Sequence, residues 1–244
     1  MSAAMASPEP GSMIAFRDHP GNIGLGDLYW DRVLRCAMSL RDAVKKALPT
    51  GVVSVVRSFL GRGLEDEQWA RTVMNPRVEE LVRSLDPSTK SALEISGNTW
   101  SRRANFKKFK ALDYPDYDVC AGPVPGEKFD VIIAEQVFEH LLWPYRAVKN
   151  VYDSLNAGGA FVISTPFLLK VHNYPVDCSR WTEIGLRHLL AEGGFPMENI
   201  VTESWGNRAC IKANWPRWQV YQSWRHSLKN EPEYPIVVWA LARK

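Results

Sequence analysis

The stretch FDVIIAEQVFEHL, from Phe129 to Leu141, joins a continuous apolar run to a group of polar residues. The run FDVIIA, residues 129–134, is typical of a strand that is buried on both faces of a parallel sheet. The polar side chains after it would lie beyond the carboxyl end of this strand, where open α/β sheets bind their ligands. They are Glu135, Gln136, Glu139 and His140. The stretch therefore predicts a central strand with a site at its end.

Short apolar runs alternate with helical stripes on both sides of this strand. Further strands are predicted at SALEIS (91–96), KFKALDY (108–114), AFVIST (160–165), NIVTESW (199–205) and PIVVWALAR (235–243). PYRAVKNVYDSL (144–155) is predicted as a helix that the glycines of NAGG close, and EIGLRHLLAEGG as a helix that Thr182 caps. This alternation predicts a Rossmann-like α/β fold, a mostly parallel sheet with helices on both faces.

The N-terminal third has a different pattern. Residues 1–26 are rich in proline and glycine, which predicts a flexible arm, and the GNIGLG within them follows no strand that would make it a phosphate loop. Residues 27–88 are predicted as a helical cap or extension. The last helix of this extension, PRVEELVRSL, is expected to begin with Pro76 in its first turn. The α/β domain would then span 89–244, with the extension covering the sheet or forming a homodimer face.

The composition restricts the function to a few classes. A net charge of +3 is too small to argue for nucleic acid or a membrane surface. No apolar run is long enough to span a bilayer, and the polar start MSAAMASPEPGSM does not resemble a secretory signal. The four cysteines have no metal-binding spacing, which favours reduced thiols in a cytoplasmic protein. Ten tryptophans indicate either a large aromatic core or a pocket with flat apolar walls, suited to nucleobases or sugar rings.

Four segments in this order resemble the class I S-adenosylmethionine-dependent methyltransferases. They are ALEISG, LDYPDYD, FDVIIAEQVFEHL and LNAGGAFVISTPF, and the later YPVDCSRWTEIGLRHLLAEGGF resembles a segment common in bacterial methyltransferase-domain proteins. The resemblance covers a little under half of the chain, from about Ser91 to Phe195. It implies a Rossmann-like methyltransferase domain that uses S-adenosylmethionine.

The resemblance also implies which residues hold this cofactor. Glu94 matches the acidic residue of the first motif, whereas Ser96, Asn98 and Trp100 stand where the family has glycines. Asp113 would accept hydrogen bonds from the two ribose hydroxyls and Asp118 would face the adenine, with Asp116 as a competitor and surface turns as the alternative for all three. The full implied set is Glu94, Ser96, Gly97, Asn98, Asp113, Asp118, Glu135 and Gln136.

The catalytic side chains are expected in the segments that follow the third and fourth strands. His140 is a candidate general base, with Glu135 and Asp177 as further catalytic candidates, although a histidine there can also be structural. The acceptor is expected to contact His172, Tyr174, Arg180 and Trp181, unless Arg180 only pairs with Asp177 to fix the loop. A divalent cation such as Mg²⁺ could be held among Glu135, His140, His172 and Asp177.

These residues predict an O-methyltransferase that transfers a methyl group by direct displacement to a small-molecule or saccharide acceptor, with a sugar or glycan hydroxyl as the leading choice. The altered glycine turn leaves open a methyltransferase-like scaffold without catalysis, and another small molecule can be the acceptor. Nucleic acid is disfavoured because the basic SRRANFKKFK is more simply a solvated face. A nicotinamide-dependent oxidoreductase would need a GxGxxG turn, which this chain lacks.

Overall fold

A computed structural model of the chain describes residues 67–172 and 175–244, which form six strands and five α-helices. The strands are β1 (Ser91–Ile95), β2 (Lys108–Leu112), β3 (Phe129–Glu135), β4 (Leu155–Pro166), β5 (Ile200–Trp205) and β6 (Val237–Arg243). The helices are α1 (Arg71–Arg83), α2 (Trp100–Arg103), α3 (Pro144–Ser154), α4 (Glu183–Glu192) and α5 (Arg208–Asn214). The predicted arm at 1–26, residues 27–66 of the predicted cap, and Tyr174 lie outside the described residues.

The six strands form one sheet in the order β2-β1-β3-β4-β6-β5. Neighbouring pairs from β2 to β4 are parallel, whereas β6 runs antiparallel to both β4 and β5. Five strands therefore point the same way, and the predicted mostly parallel Rossmann-like fold is confirmed. The parallel strands all end at one edge, called the carboxyl edge below. The first residue of β6, Val237, also lies there, because it pairs with Pro166 at the end of β4.

Helices cover both faces of the sheet, as the sequence predicts. On one face, α3 and α4 bury Val148, Val151 and Leu189 against sheet residues that include Phe129 and Phe161. On the other face, α1 buries Met74, Val78 and Val82 against Val131 and other sheet residues. In the described part of the chain, no helix has both the length and the apolar character that crossing a membrane requires.

The tryptophans divide between the core and the surface. Trp69, Trp100, Trp205 and Trp239 are at most 3% exposed and belong to the core under α1. By contrast, Trp143, Trp215, Trp218 and Trp224 are between 45% and 79% exposed. The aromatic core thus uses only part of the set, and several indoles remain available at the surface.

Two predicted element boundaries are wrong. Helix α1 begins at Arg71, so Pro76 lies inside it, because the buried Thr72 and Met74 extend the helix toward the N-terminus. The NAGG segment does not close a helix but belongs to β4, which follows α3 directly. Here the register between β3 and β4 is irregular, and Gly158 takes a positive φ of 70° that suits glycine.

Candidate active site

The turn after β1 is held by a buried carboxylate. Glu94, which is 3% exposed, accepts hydrogen bonds from the backbone N–H groups of Thr99 and Trp100, at 3.1 and 2.8 Å. Burial raises the pKa of this carboxyl, although the two backbone donors oppose the shift. A Cβ on Gly97 would stand only 2.6 Å from Oε1 of Glu94, so any larger residue would force this carboxylate to shift. Ser96, not Asn98, takes the left-handed backbone, with φ 62°.

The predicted ribose and adenine residues lie at the carboxyl edge beside this turn. Ile95 and Leu112 are paired at the ends of β1 and β2, and the N–H of Ser96 donates to the carbonyl of Leu112. Asp113, the next residue, is exposed. Asp118 is half-buried and accepts from the backbone N–H of Cys120 at 2.8 Å, in agreement with the turn alternative. Asp113 therefore presents the more open carboxylate.

Glu135 is enclosed by cationic and polar donors. Its carboxylate accepts from Arg71 at 2.7 Å, from Arg103 at 3.2 Å and from the indole N–H of Trp100 at 3.2 Å. Its side chain is only 11% exposed. Two guanidinium partners and an indole N–H already occupy both oxygens of this carboxylate. Glu135 thus joins α1, α2 and β3, and its catalytic and metal roles stay predictions.

A cavity of about 170 Å³ opens at the carboxyl edge and is called the edge cavity below. Gln136 contributes after β3, with φ 59°, and its side-chain amide donates to the hydroxyl of Ser164 at 3.2 Å. The lining residues are Gln68, Ala70, Arg71, Met74, Gln136, Glu139, His140, Pro166, Leu169, His172, Trp218, Ile236 and Val237. The structure thus brings Gln136, His140 and His172, three of the predicted site residues, into one cavity.

His140 has a fixed orientation in this cavity. Its Nδ1 contacts the carbonyl oxygen of Val176 at hydrogen-bonding distance. Because a carbonyl only accepts, Nδ1 carries the hydrogen, and Nε2 of the neutral ring carries the lone pair. Nε2 lies 3.6 Å from Oε1 of Glu139, and the His172 ring stands edge-on at 5.0 Å between centroids. The lone pair of Nε2 is thus placed beside two other titratable groups.

Glu139 is the most buried of these groups. The residue is 1% exposed, and burial raises the pKa of its carboxyl to about 7. Its Oε2 has no hydrogen-bond partner among the described residues. Burial also lowers the pKa of His172, which favours the neutral imidazole. The cluster therefore combines two imidazoles with a carboxyl group that has one unsatisfied oxygen.

The loop after β4 is organised around Asp177 and Arg180. Both terminal nitrogens of Arg180 donate to the Asp177 carboxylate, which also accepts from the backbone N–H of His172 at 2.9 Å. Burial opposes the effect, but these donors hold the pKa of Asp177 below its ordinary value. This geometry matches the alternative in which Arg180 fixes the loop. Asp177 thus contacts His172 through its backbone N–H, and its catalytic and metal-binding roles stay predictions.

The remaining predicted acceptor residue contacts the core more than the cavity. Trp181 is half-buried and packs against the core under α4. Most residues of the edge cavity were absent from the predicted set, and Arg71 and Trp218 are two of them. Arg71 has no local motif, and its partner Glu135 is 64 residues away. Trp218 belongs to the tryptophan-rich tail. The composition of this tail indicated an aromatic core or pocket but did not show which tryptophan lines the cavity.

A second cavity, of about 430 Å³, is larger but has fewer groups available for catalysis. It lies beside β5 and β6, where Arg77 donates to Glu203 and the Ser204 hydroxyl donates to Glu183. Its charged groups are thus engaged with one another or with a hydroxyl. The smaller edge cavity is therefore the better candidate for the active site, since it holds His140, Glu139 and His172.

Comparison with known proteins gives one family match. Residues 63–163, about two fifths of the chain, match the family model described as a methyltransferase domain. This segment includes β1 to β3 and most of β4, and so contains the turn after β1 and the polar residues after β3. No curated protein matches the chain.

Several solved structures are similar to this chain at low identity. A S-adenosylmethionine-dependent methyltransferase from Mesorhizobium loti is 14% identical, with 69% of this chain and 96% of that chain covered and a TM-score of 0.45. A methyltransferase from Archaeoglobus fulgidus is 12% identical, with 71% and 94% covered and a TM-score of 0.42. A Haloferax volcanii methyltransferase in complex with the Trm112 activator is 12% identical, with 77% and 96% covered and a TM-score of 0.47. Similarity at this level carries no argument about the acceptor.

Proposed function

We propose that this chain is an S-adenosylmethionine-dependent methyltransferase and that it methylates a hydroxyl group of a small acceptor, with a sugar or glycan as the preferred class. The observation that carries the proposal is the fixed His140 in the edge cavity, with its Nε2 lone pair free of the Val176 hydrogen bond. A hydroxyl acceptor has a proton to lose on methylation, and a positioned imidazole can take it up.

S-adenosylmethionine supplies an electrophilic methyl group on a sulfonium when it is bound. Residues at the carboxyl edge fit the adenosine part, since Asp113 offers an exposed carboxylate for the ribose hydroxyls and Gly97 keeps the neighbouring turn free of a side chain. Asp118 and Asp116 remain the candidates for the adenine side. Glu94 supports the turn from below through its two backbone donors.

His140 and its neighbours would orient the acceptor and move the proton. The bond from Nδ1 to Val176 fixes the ring, so that Nε2 can accept a proton without a change of tautomer. The Asp177–Arg180 pair holds the loop that carries His172, and the backbone contacts of Cys178 and Ser179 to Glu139 tie this loop to the site. The side chains of the cluster therefore depend on a rigid support, which favours alignment of the two reactants.

The cavity supports a small polar acceptor. Its polar lining includes Gln68, Gln136 and Arg71, whereas Trp218, 45% exposed, provides a flat apolar surface at its wall. Sugar rings present hydroxyls at their edges and apolar C–H groups on their faces, and this combination suits them. The modest net charge of +3 gives no strong attraction for nucleic acid.

The test measures cofactor binding first and methyl transfer second. Titration calorimetry with S-adenosylhomocysteine establishes binding, and transfer is then measured with a panel of sugars and glycans. His140→Ala is expected to lower kcat by about 10² to 10⁴-fold, while the affinity for S-adenosylhomocysteine stays the same. The exposed His188 on α4 gives the matched control, and His188→Ala should leave both quantities unchanged.

Each contradictory result has a separate meaning. Full turnover in His140→Ala would show that the proton leaves by another route. Absence of cofactor binding by the folded protein would favour the alternative of a methyltransferase-like scaffold without catalysis.

A further inference from the structure

Three side chains in the edge cavity have the composition of a metal site. Glu139, His140 and His172 each offer one ligand atom, and these atoms all lie within 4.8 Å of one another. The Nε2 of His140 and Oε1 of Glu139 are already 3.6 Å apart. Tetrahedral Zn²⁺ with bonds of about 2.0 to 2.1 Å places its ligands roughly 3.4 Å apart, which is close to the Glu139–His140 distance.

The unsatisfied oxygen of Glu139 is an independent sign of a missing partner. Buried polar atoms are normally hydrogen-bonded, since an unpaired one keeps its full desolvation cost. Glu139 is 1% exposed, and its Oε2 nevertheless has no partner within the described ranges. A cation that both oxygens of Glu139 bind would supply that partner.

The surroundings of the three residues resemble those that hold metal ligands in place. Ligating histidines commonly donate their second ring nitrogen to a carbonyl or carboxylate, which orients the ring. His140 does so through Nδ1 to Val176. His172 is held through its backbone N–H, which donates to Asp177, and Asp177 is itself bound by Arg180.

The ligand types select the class of metal. Two imidazoles with one carboxylate suit Zn²⁺ and other transition-metal ions, whereas Mg²⁺ prefers oxygen ligands. Glu135 and Asp177, the other carboxylates expected at such a site, are already paired with arginines. The Mg²⁺ suggested by the sequence is therefore less suited to this cluster than Zn²⁺.

We infer that Glu139, His140 and His172 form a binding site for one divalent transition-metal ion of the Zn²⁺ type. The inference deepens the proposed function and rests on it for the role of the ion, which would lower the pKa of an acceptor hydroxyl in the edge cavity. With the ion bound, Nε2 of His140 would be a ligand and could not act as the base, so the proton of the metal-bound hydroxyl would pass to solvent water.

The experiment titrates Zn²⁺ into the full chain after chelator treatment. Cys178 is exposed and its Sγ lies 3.7 Å from the carbonyl oxygen of His140, so a Cys178→Ser background removes a competing thiol ligand. In this background we expect one Zn²⁺ per chain by calorimetry. Glu139→Gln and His172→Ala should each weaken binding at least tenfold, and His188→Ala should not change it. Co²⁺ bound to the same background should show d–d absorption without a thiolate charge-transfer band.

The results separate this inference from the proposed function. Loss of Zn²⁺ binding in Cys178→Ser, equal affinity in Glu139→Gln and His172→Ala, or equally tight binding of Mg²⁺ would each overturn the metal site. S-adenosylhomocysteine is titrated into the same samples. Zn²⁺ binding at the three residues without cofactor binding would support the metal site and contradict the methyltransferase function alone. Cofactor binding without Zn²⁺ binding would contradict the metal site and support the methyltransferase function.

Discussion

At the scale of single residues, Gly97 is the position where the first motif has least freedom. A Cβ there would meet Glu94 Oε1 at 2.6 Å, and this oxygen can move only by losing the hydrogen bond from Thr99. Gly97→Ala should therefore lower the free energy of unfolding by about 1 to 3 kcal/mol. Gly122→Ala is the matched control, because a Cβ at Gly122 has no atom within 4 Å. Equal denaturant midpoints for the two variants would contradict the packing argument.

The ribose assignment is also decided by single residues. Asp113 and Asp116 are both exposed acidic residues after β2, but only Asp113 directly follows the strand. Asp113→Ala should weaken S-adenosylhomocysteine binding at least tenfold in calorimetry, since each hydrogen bond to a charged group contributes about 1.5 to 3 kcal/mol. Asp116→Ala should have little effect. A loss in Asp116→Ala alone would move the assignment to that residue, and no loss in either would remove it.

At the scale of elements, the start of α4 tests a feature read directly from the sequence. Thr182 was predicted to cap this helix, and its Oγ1 accepts from the N–H of Gly185 at 3.1 Å. Removing such a cap costs about 1 kcal/mol. Thr182→Ala should lose about this amount in urea unfolding, whereas Thr182→Ser keeps the oxygen and should lose much less. If the two variants lose the same amount, the methyl group of Thr182 matters more than the cap.

Local pattern predicted most elements, because apolar runs and caps involve neighbours in the chain. The strand at Phe129 and the cap at Thr182 are confirmed. The boundaries at Pro76 and NAGG are wrong because burial under the sheet and the register of β3 with β4 decide them, and both involve distant residues. The site shows the same division. His140 could be selected from its local motif, but the ion pairs of Glu135 with Arg71 and Arg103 join residues far apart in the sequence and could not be predicted.

At the scale of the whole molecule, ion pairs connect α1 to two separate strands of the sheet. Arg71 pairs with Glu135 at the end of β3, and Arg77 makes a bidentate pair with Glu203 on β5. Between these contacts α1 buries its apolar face against the sheet. The ion pairs thus fix the position of α1 along the sheet, and its buried apolar face holds it to the core. Together these contacts place Arg71 at the edge cavity.

The Arg77–Glu203 pair should make part of the stability of the whole molecule depend on pH. Hydrogen bonds from Arg77 lower the pKa of Glu203, burial opposes this, and the indole N–H of Trp239 adds to it. The other acidic groups nearby are Glu80, which also binds Arg77, and Glu183 across the second cavity. Because the folded state holds the proton of Glu203 less tightly than the unfolded chain, the stabilisation is complete above the ordinary glutamate pKa of about 4.3. It is lost as the pH falls through the lower folded value.

Glu203→Gln isolates this contribution from all other titrating groups. Both partners are partly exposed, so we expect the variant to be less stable than the wild type by only about 0.5 to 1 kcal/mol near pH 7. The difference should shrink as the pH is lowered from about 5 to about 3, because the wild type then protonates Glu203 and loses the same charge. Urea unfolding at several pH values measures it, with Glu192→Gln at the exposed end of α4 as the control. A difference that stays constant with pH would mean that Glu203 acts through packing against Trp239 and not through its charge.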